Sequence, residues 1–208
     1  MPPTAKCRLA QTLGIMNSQP LYRKTEKREF FAHHMLLHAA SLSISEAEAT
    51  QVGHFNKCLA AMTMTALAVE GLVNAVGSRV AVDWIEFEKL CPHEKIDALV
   101  SQLAIDLNAN VNLWTTLRFL GKFRNQIAHP KPELIVKDSH LPESALNNAN
   151  FSTPQSKLER EITVGNARRV HDAVEQLKGV FTDAMPVDKR FGIYADMWSG
   201  STSLKHDA

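Results

Sequence analysis

Two side chains five positions apart, Arg124 and His129 in the stretch FRNQIAHP (residues 123–130), have the types and spacing to do chemistry together. A guanidinium is always charged and offers N–H donors in a fixed fork to an anion. An imidazole gives and takes protons near neutral pH, the task of a general acid or base. On a helical wheel at about 100° per residue, Leu113, Leu117, Leu120 and Ile127 share an arc of roughly 80°, and Arg124 falls inside it. Arg118, Lys122 and Gln126 fall on the opposite side. A charge among core-facing leucines has to be paired, or its arc has to face a cleft or a partner chain. Glu70, at the edge of an apolar stripe on an earlier helix and one turn from Asn74, is the candidate partner. His129 falls at the carbonyl end of its helix, which favours a cation. Asn125, four residues before it, is spaced to reach and orient the ring. The spacing itself is cheap, because Arg28 and His33 in REFFAH repeat it. Context singles out Arg124, and the competing reading is a structural Arg124–Glu70 pair beside an idle His129.

The elements that must position these residues follow from periodicity. Residues 1–20 carry three prolines and little pattern and read as a flexible N-terminal arm. A first helix is expected over 21–43, with Phe31, Met35 and Leu42 on one side. Ser45 and Glu48 have capping-box spacing. Behind them Val52, Phe55, Leu59, Met62, Ala66, Val69, Val73 and Val76 recur at three and four, predicting a long second helix that stops at Gly77. RVAVDWI (79–85) reads as an extended connector, and Pro92 opens a third helix through Ile96, Leu99, Leu103 and Leu107. Asn110 is placed to cap a fourth helix over 111–128, which ends because the residue before Pro130 is pushed out of the α region. A polar, proline-containing loop follows over 130–155, with LIVK (134–137) as a candidate short strand. Ser156 with Glu159 caps a last helix, whose stripe of Ala167, Val170, Val174, Leu177 and Phe181 runs up to Pro186. The expected fold is all-α, an antiparallel bundle of four to five helices over 21–185 with a long loop before the last helix and a flexible tail over 186–208.

Composition excludes little. The 208 residues are 45% hydrophobic and 22% charged with a net charge of +1, so no global basic surface points to nucleic acid. Three scattered cysteines, Cys7, Cys58 and Cys91, argue against a disulfide framework and for a reducing compartment. No apolar run approaches the roughly 20 residues of a membrane span, so a cytoplasmic protein with no membrane partner is expected. His34 and His38 have an i, i+4 spacing that suits zinc but lack a third ligand, and CPHE (91–94) reads as a helix N-terminus. Trp84, Trp114 and Trp198 are too scattered for a base-stacking platform.

RNQIAH (124–129) resembles the Arg-polar-x-x-x-His motif of the HEPN superfamily (higher eukaryotes and prokaryotes nucleotide-binding domain). ALAVEGLVNAV (66–76) resembles that family's acidic second-helix segment, and the likeness spans about residues 45–130, or to 184 if the last helix completes the bundle. The resemblance implies a helical bundle, often a homodimer whose motifs meet across the interface, and in many members a metal-independent endoribonuclease acting as a toxin or defence effector. It would make Arg124 the contact to the scissile phosphate, Asn125 the motif's polar residue and His129 the proton-transfer group, with Glu70 and Asn74 in support. RNA brings its own 2′-OH nucleophile, so neither cofactor nor metal is expected, and the product would be a 2′,3′-cyclic phosphate. RNA, a second copy and a protein antitoxin are the implied partners. Other members of the family have lost catalysis and bind nucleotides or proteins, which is the alternative expectation. The near-neutral charge departs from a strong RNA footprint.

Overall fold

The computed structural model describes residues 22–138, 140, 142–143, 153–193 and 196–204. The described residues are mostly helical, with one small two-stranded sheet. Strand β1 is Tyr22–Glu29, and the helices are α1 Ala32–Ala49, α2 His54–Val80, α3 Trp84–Lys89, α4 Pro92–Gln102, α5 Val111–Ala128, α6 Lys157–Glu161 and α7 Val164–Ala184. Strand β2, Met197–Leu204, pairs with β1. Glu29–Met197 forms one compact unit, while most of the two strands belongs to a second.

The core of the helical unit is α2, which packs against α1, α4, α5 and α7. Cys58, Ala61, Met62, Leu72, Val73 and Val76 are fully buried on it. By length and composition alone α2 is apolar enough to cross a membrane, but just over half of its most apolar stretch is buried against the other helices. The expected stop at Gly77 does not occur. The helix runs on to Val80, and Gly77 instead admits the Phe87 ring of α3 so closely that a Cβ there would fall among the ring atoms. Val52 lies outside the helix and is 81% exposed, so the predicted stripe begins one turn too early.

Four further expectations are corrected. Residues 22–29 form a strand rather than the start of a helix, because their hydrogen-bonding partner is the strand at 197–204. Met35 and Leu42 are more than half exposed; the buried face of α1 is His33, Leu37, Ala40, Ile44 and Ala47. Ser45 caps nothing, since α1 runs through it and its hydroxyl donates to the Ser41 carbonyl at 3.0 Å. The break comes later, where Gly53 takes the left-handed φ of +67° that suits glycine. RVAVDWI is the end of α2 and the start of α3, with the Asp83 carboxylate accepting the Glu86 N–H at 3.1 Å as a cap.

Elsewhere the expected signals hold. Pro92 opens α4, α5 spans Val111–Ala128, and Ser156 and Glu159 form a capping box. That box starts only the five-residue α6, after which Thr163 caps α7 through the Asn166 N–H at 3.1 Å. Asn110 stands at the N-cap of α5, but its side chain accepts from Gln176 Nε2 at 3.0 Å instead of capping. LIVK forms no strand. The tail expected over 186–208 contains a 3-10 turn at Val187–Lys189 and β2. The expected arm at 1–20 and most of 139–152 lie outside the described residues.

His33 is fully buried on α1 and its Nε2 donates to the Ile193 carbonyl at 3.3 Å, while His34 donates to Gly192 at 3.0 Å. Burial, and then repulsion from His34, lower the His33 pKa from 6.5 to about 4. The unfolded chain therefore takes up a proton that the fold refuses. Stability from this source is complete above pH 6.5 and is lost as pH falls towards 4. The full loss is up to about 3 kcal/mol, at about 1.4 kcal/mol for each tenfold difference in proton affinity between the folded and unfolded chains. Denaturant unfolding between these pH values should show this slope, and His33→Gln should flatten it; equal slopes in the two proteins would exclude His33 as its source.

Candidate functional site

Helix α5 carries the Arg124–His129 segment, and the structure gives that helix the predicted polarity. Leu113, Leu117 and Leu120 are buried, Ile127 is partly buried, and Arg118, Lys122 and Gln126 are exposed. Phe123, which periodicity did not single out, is also buried.

Arg124 meets both conditions set for a charge in that arc. Its Nη2 lies 3.6 Å from Glu70 Oε2 on α2, with the two side chains 34% and 39% exposed. It also stands on the rim of a groove of about 380 Å³ between α2, α4 and α5. Val69, Ile96, Trp114, Leu117 and Leu120 form the apolar wall of this groove. Arg118, Lys122, Arg124, Asn125 and His93 put cationic or polar atoms around it, with Asp97 its one acidic lining residue. The arginine is therefore held, but not sealed in.

The other expected site residues divide. Asn125 turns its amide oxygen towards Arg124 Nη1 at a long 3.4 Å rather than towards the His129 ring. Only its backbone carbonyl engages His129, accepting that residue's N–H at 3.0 Å to close the last turn of α5. His129 is exposed at the C-cap, its ring has no hydrogen-bond or ion-pair partner among the described residues, and it does not line the groove. Asn74 supports a different cation. Its Oδ1 accepts from Lys95 Nζ at 2.8 Å, and Lys95 is only 4% exposed with its ammonium 5.8 Å from the Phe87 ring centre. Periodicity does not reveal this buried lysine, because nothing in the α4 stripe marks position 95 as inward.

Three other polar groups are placed as follows. Arg168 is committed to Glu48, with Nη2 at 2.8 Å from both carboxylate oxygens, and Arg169 lies 4.7 Å from the Phe119 ring centre. Both arginines of this adjacent pair are thus engaged within the chain. His34 Nε2 lies 3.0 Å from the Gly192 carbonyl oxygen, while His38 is exposed. CPHE does open a helix: the Cys91 N–H donates to Glu94 Oε2 at 2.9 Å. Hydrogen bonds from the Cys91 thiol and N–H hold the Glu94 carboxyl below its ordinary range.

No protein-family model, curated protein or solved structure matches the chain.

A half-exposed ion pair at this separation should couple weakly, by about 0.2–1 kcal/mol. A double-mutant cycle of Glu70→Gln and Arg124→Gln, read by denaturant unfolding, should give a coupling in that range that shrinks in high salt. A salt-insensitive coupling above about 2 kcal/mol would mean that Arg124 is a buried structural clamp and not available to a ligand.

Proposed function

We propose that the chain is a metal-independent endoribonuclease of the HEPN type, built as an antiparallel helical bundle and working as a homodimer. The observation that carries this reading is Arg124, drawn to the rim of a largely apolar groove by Glu70 at 3.6 Å, with other cationic side chains around it. A guanidinium in that position can take a phosphodiester oxygen when a strand enters, since the bond it would leave is weak and half-solvated. The RNA 2′-OH attacks the adjacent phosphorus, Arg124 offsets the charge that builds on the phosphoryl oxygens, and His129 moves the proton. The leaving 5′-oxygen departs and a 2′,3′-cyclic phosphate remains. His129 lies outside the groove of its own chain, so the imidazole for each groove comes from the two-fold-related copy, where an isologous interface would supply two of each group. A toxin or defence role in the cytoplasm, restrained by a protein antitoxin, follows from the family resemblance alone.

The same position of His129 favours a second reading, a non-catalytic dimeric module that binds a nucleotide, RNA or protein through Arg124. The two differ in one assay. Purified dimer incubated with RNA in EDTA should release cyclic-phosphate ends. Arg124→Ala and His129→Ala should each slow this by about 100-fold or more, with unchanged helical content and a melting temperature lowered by no more than about 4 °C. Intact RNA after incubation with a demonstrated dimer, or cleavage that survives both substitutions, would contradict the nuclease reading.

A further inference from the structure

The first turn of α4 gathers three different metal-ligating groups. Cys91 Sγ lies 3.0 Å from His93 Nδ1, and donor atoms of Cys91, His93 and Glu94 all fall within 4.8 Å of one another. Helix capping explains only part of this. It uses the Cys91 N–H and one Glu94 oxygen, and it turns the Cys91 sulfur towards the Glu94 N–H. It makes no use of the thiol's approach to the imidazole, and serine, threonine, aspartate or asparagine is the usual residue at an N-cap.

We infer that Cys91, His93 and Glu94 form a binding site for a thiophilic divalent cation, with zinc the best fit. Zinc takes sulfur, imidazole nitrogen and carboxylate oxygen together, whereas magnesium and calcium require oxygen donors. Bond lengths of about 2.3 Å to sulfur and about 2.1 Å to nitrogen put tetrahedral ligands about 3.6 Å apart, so the Cys91–His93 contact has to open by about 0.6 Å. His93 is exposed and Cys91 half-buried, so the contact opens without disturbing the core. The Glu94 oxygen not used by the Cys91 N–H supplies the third ligand, and water takes the fourth position. The thiol gives up its proton as the metal–sulfur bond forms, so affinity falls as pH falls. Two of the three donors bind as anions, and the N-terminal end of a helix favours anions. His93 also lines the groove rimmed by Arg124, so a bound cation adds positive charge to that groove's wall. The metal has no part in the RNA chemistry proposed above, and the two proposals stand or fall separately.

The full chain, stripped with EDTA and then dialysed free of it, tests the site with cobalt as a spectroscopic probe and zinc in competition with a chromophoric chelator. One cobalt equivalent should bind with a thiolate-to-metal charge-transfer band, and zinc should displace it. Cys91→Ser should remove the band and weaken zinc binding at least about tenfold, a difference of about 1.4 kcal/mol. His93→Gln, at an exposed position outside the core, should weaken zinc to a similar degree and serves where Cys91→Ser folds poorly. Cys58 is fully buried and burial pushes its thiol up, so it does not compete. Cobalt binding without a charge-transfer band, or wild-type zinc affinity in His93→Gln, would overturn the proposal.

Discussion

The structure depends on the burial of one long apolar helix. Between Lys57 and Arg79, α2 carries a single charged residue, Glu70, and helices α1, α4, α5 and α7 share the work of covering the rest. At about 25 cal/mol per Å² of apolar surface removed from water, a helix covered from several sides is a large stabilising element for a domain of this size. That arrangement leaves one place where α2 presents a charge, and there α5 presents Arg124. The site is thus a by-product of core formation. Packing α5 against α2 brings a carboxylate and a guanidinium together where the apolar contact thins out into a groove.

The groove's other wall is fixed by a second chain of contacts. Gly77 lets the Phe87 ring lie against α2; that ring faces the Lys95 ammonium, and Lys95 donates to Asn74 on α2. A nearly buried lysine needs such partners, because a cation without them carries a large desolvation penalty. With the amide and the aromatic face satisfying it, Lys95 ties α4 to α2 and so sets the position of Ile96, His93 and Asp97 along the groove.

Legibility in the sequence followed the range of the interactions involved. Helix α5 was readable to its ends because the signals are local: a periodic stripe, an asparagine break before it and a proline after it. The Glu70–Arg124 contact was readable because a lone charge on each of two apolar faces leaves few other partners. What failed depended on distant chain. Residues 22–29 are polar and show no strand alternation, and only pairing with 197–204 makes them a strand. The serine at 45 has a cap's spacing but sits mid-helix, since packing of α1 against α2 and α7 overrides a local stop signal. Asn125 was expected on the His129 ring because i, i+4 neighbours meet on a helix, but His129 is already at the C-cap with non-helical dihedrals. The Cys91, His93 and Glu94 cluster is visible in the sequence as CPHE, yet capping accounts for Cys91 and Glu94, so the stretch reads simply as a helix start.

Function here turns on whether Arg124 is a ligand-facing cation held only loosely by Glu70. The most direct test is nuclear magnetic resonance of the arginine Nε–Hε groups during titration with an RNA dinucleotide whose 2′-OH is replaced by hydrogen, which binds without being cleaved. The Arg124 resonance should shift saturably, together with the Trp114 indole at the groove wall, and Glu70→Gln should leave this binding intact. Shifts confined to other arginines, with Arg124 unmoved at saturation, would contradict a ligand-facing role for it.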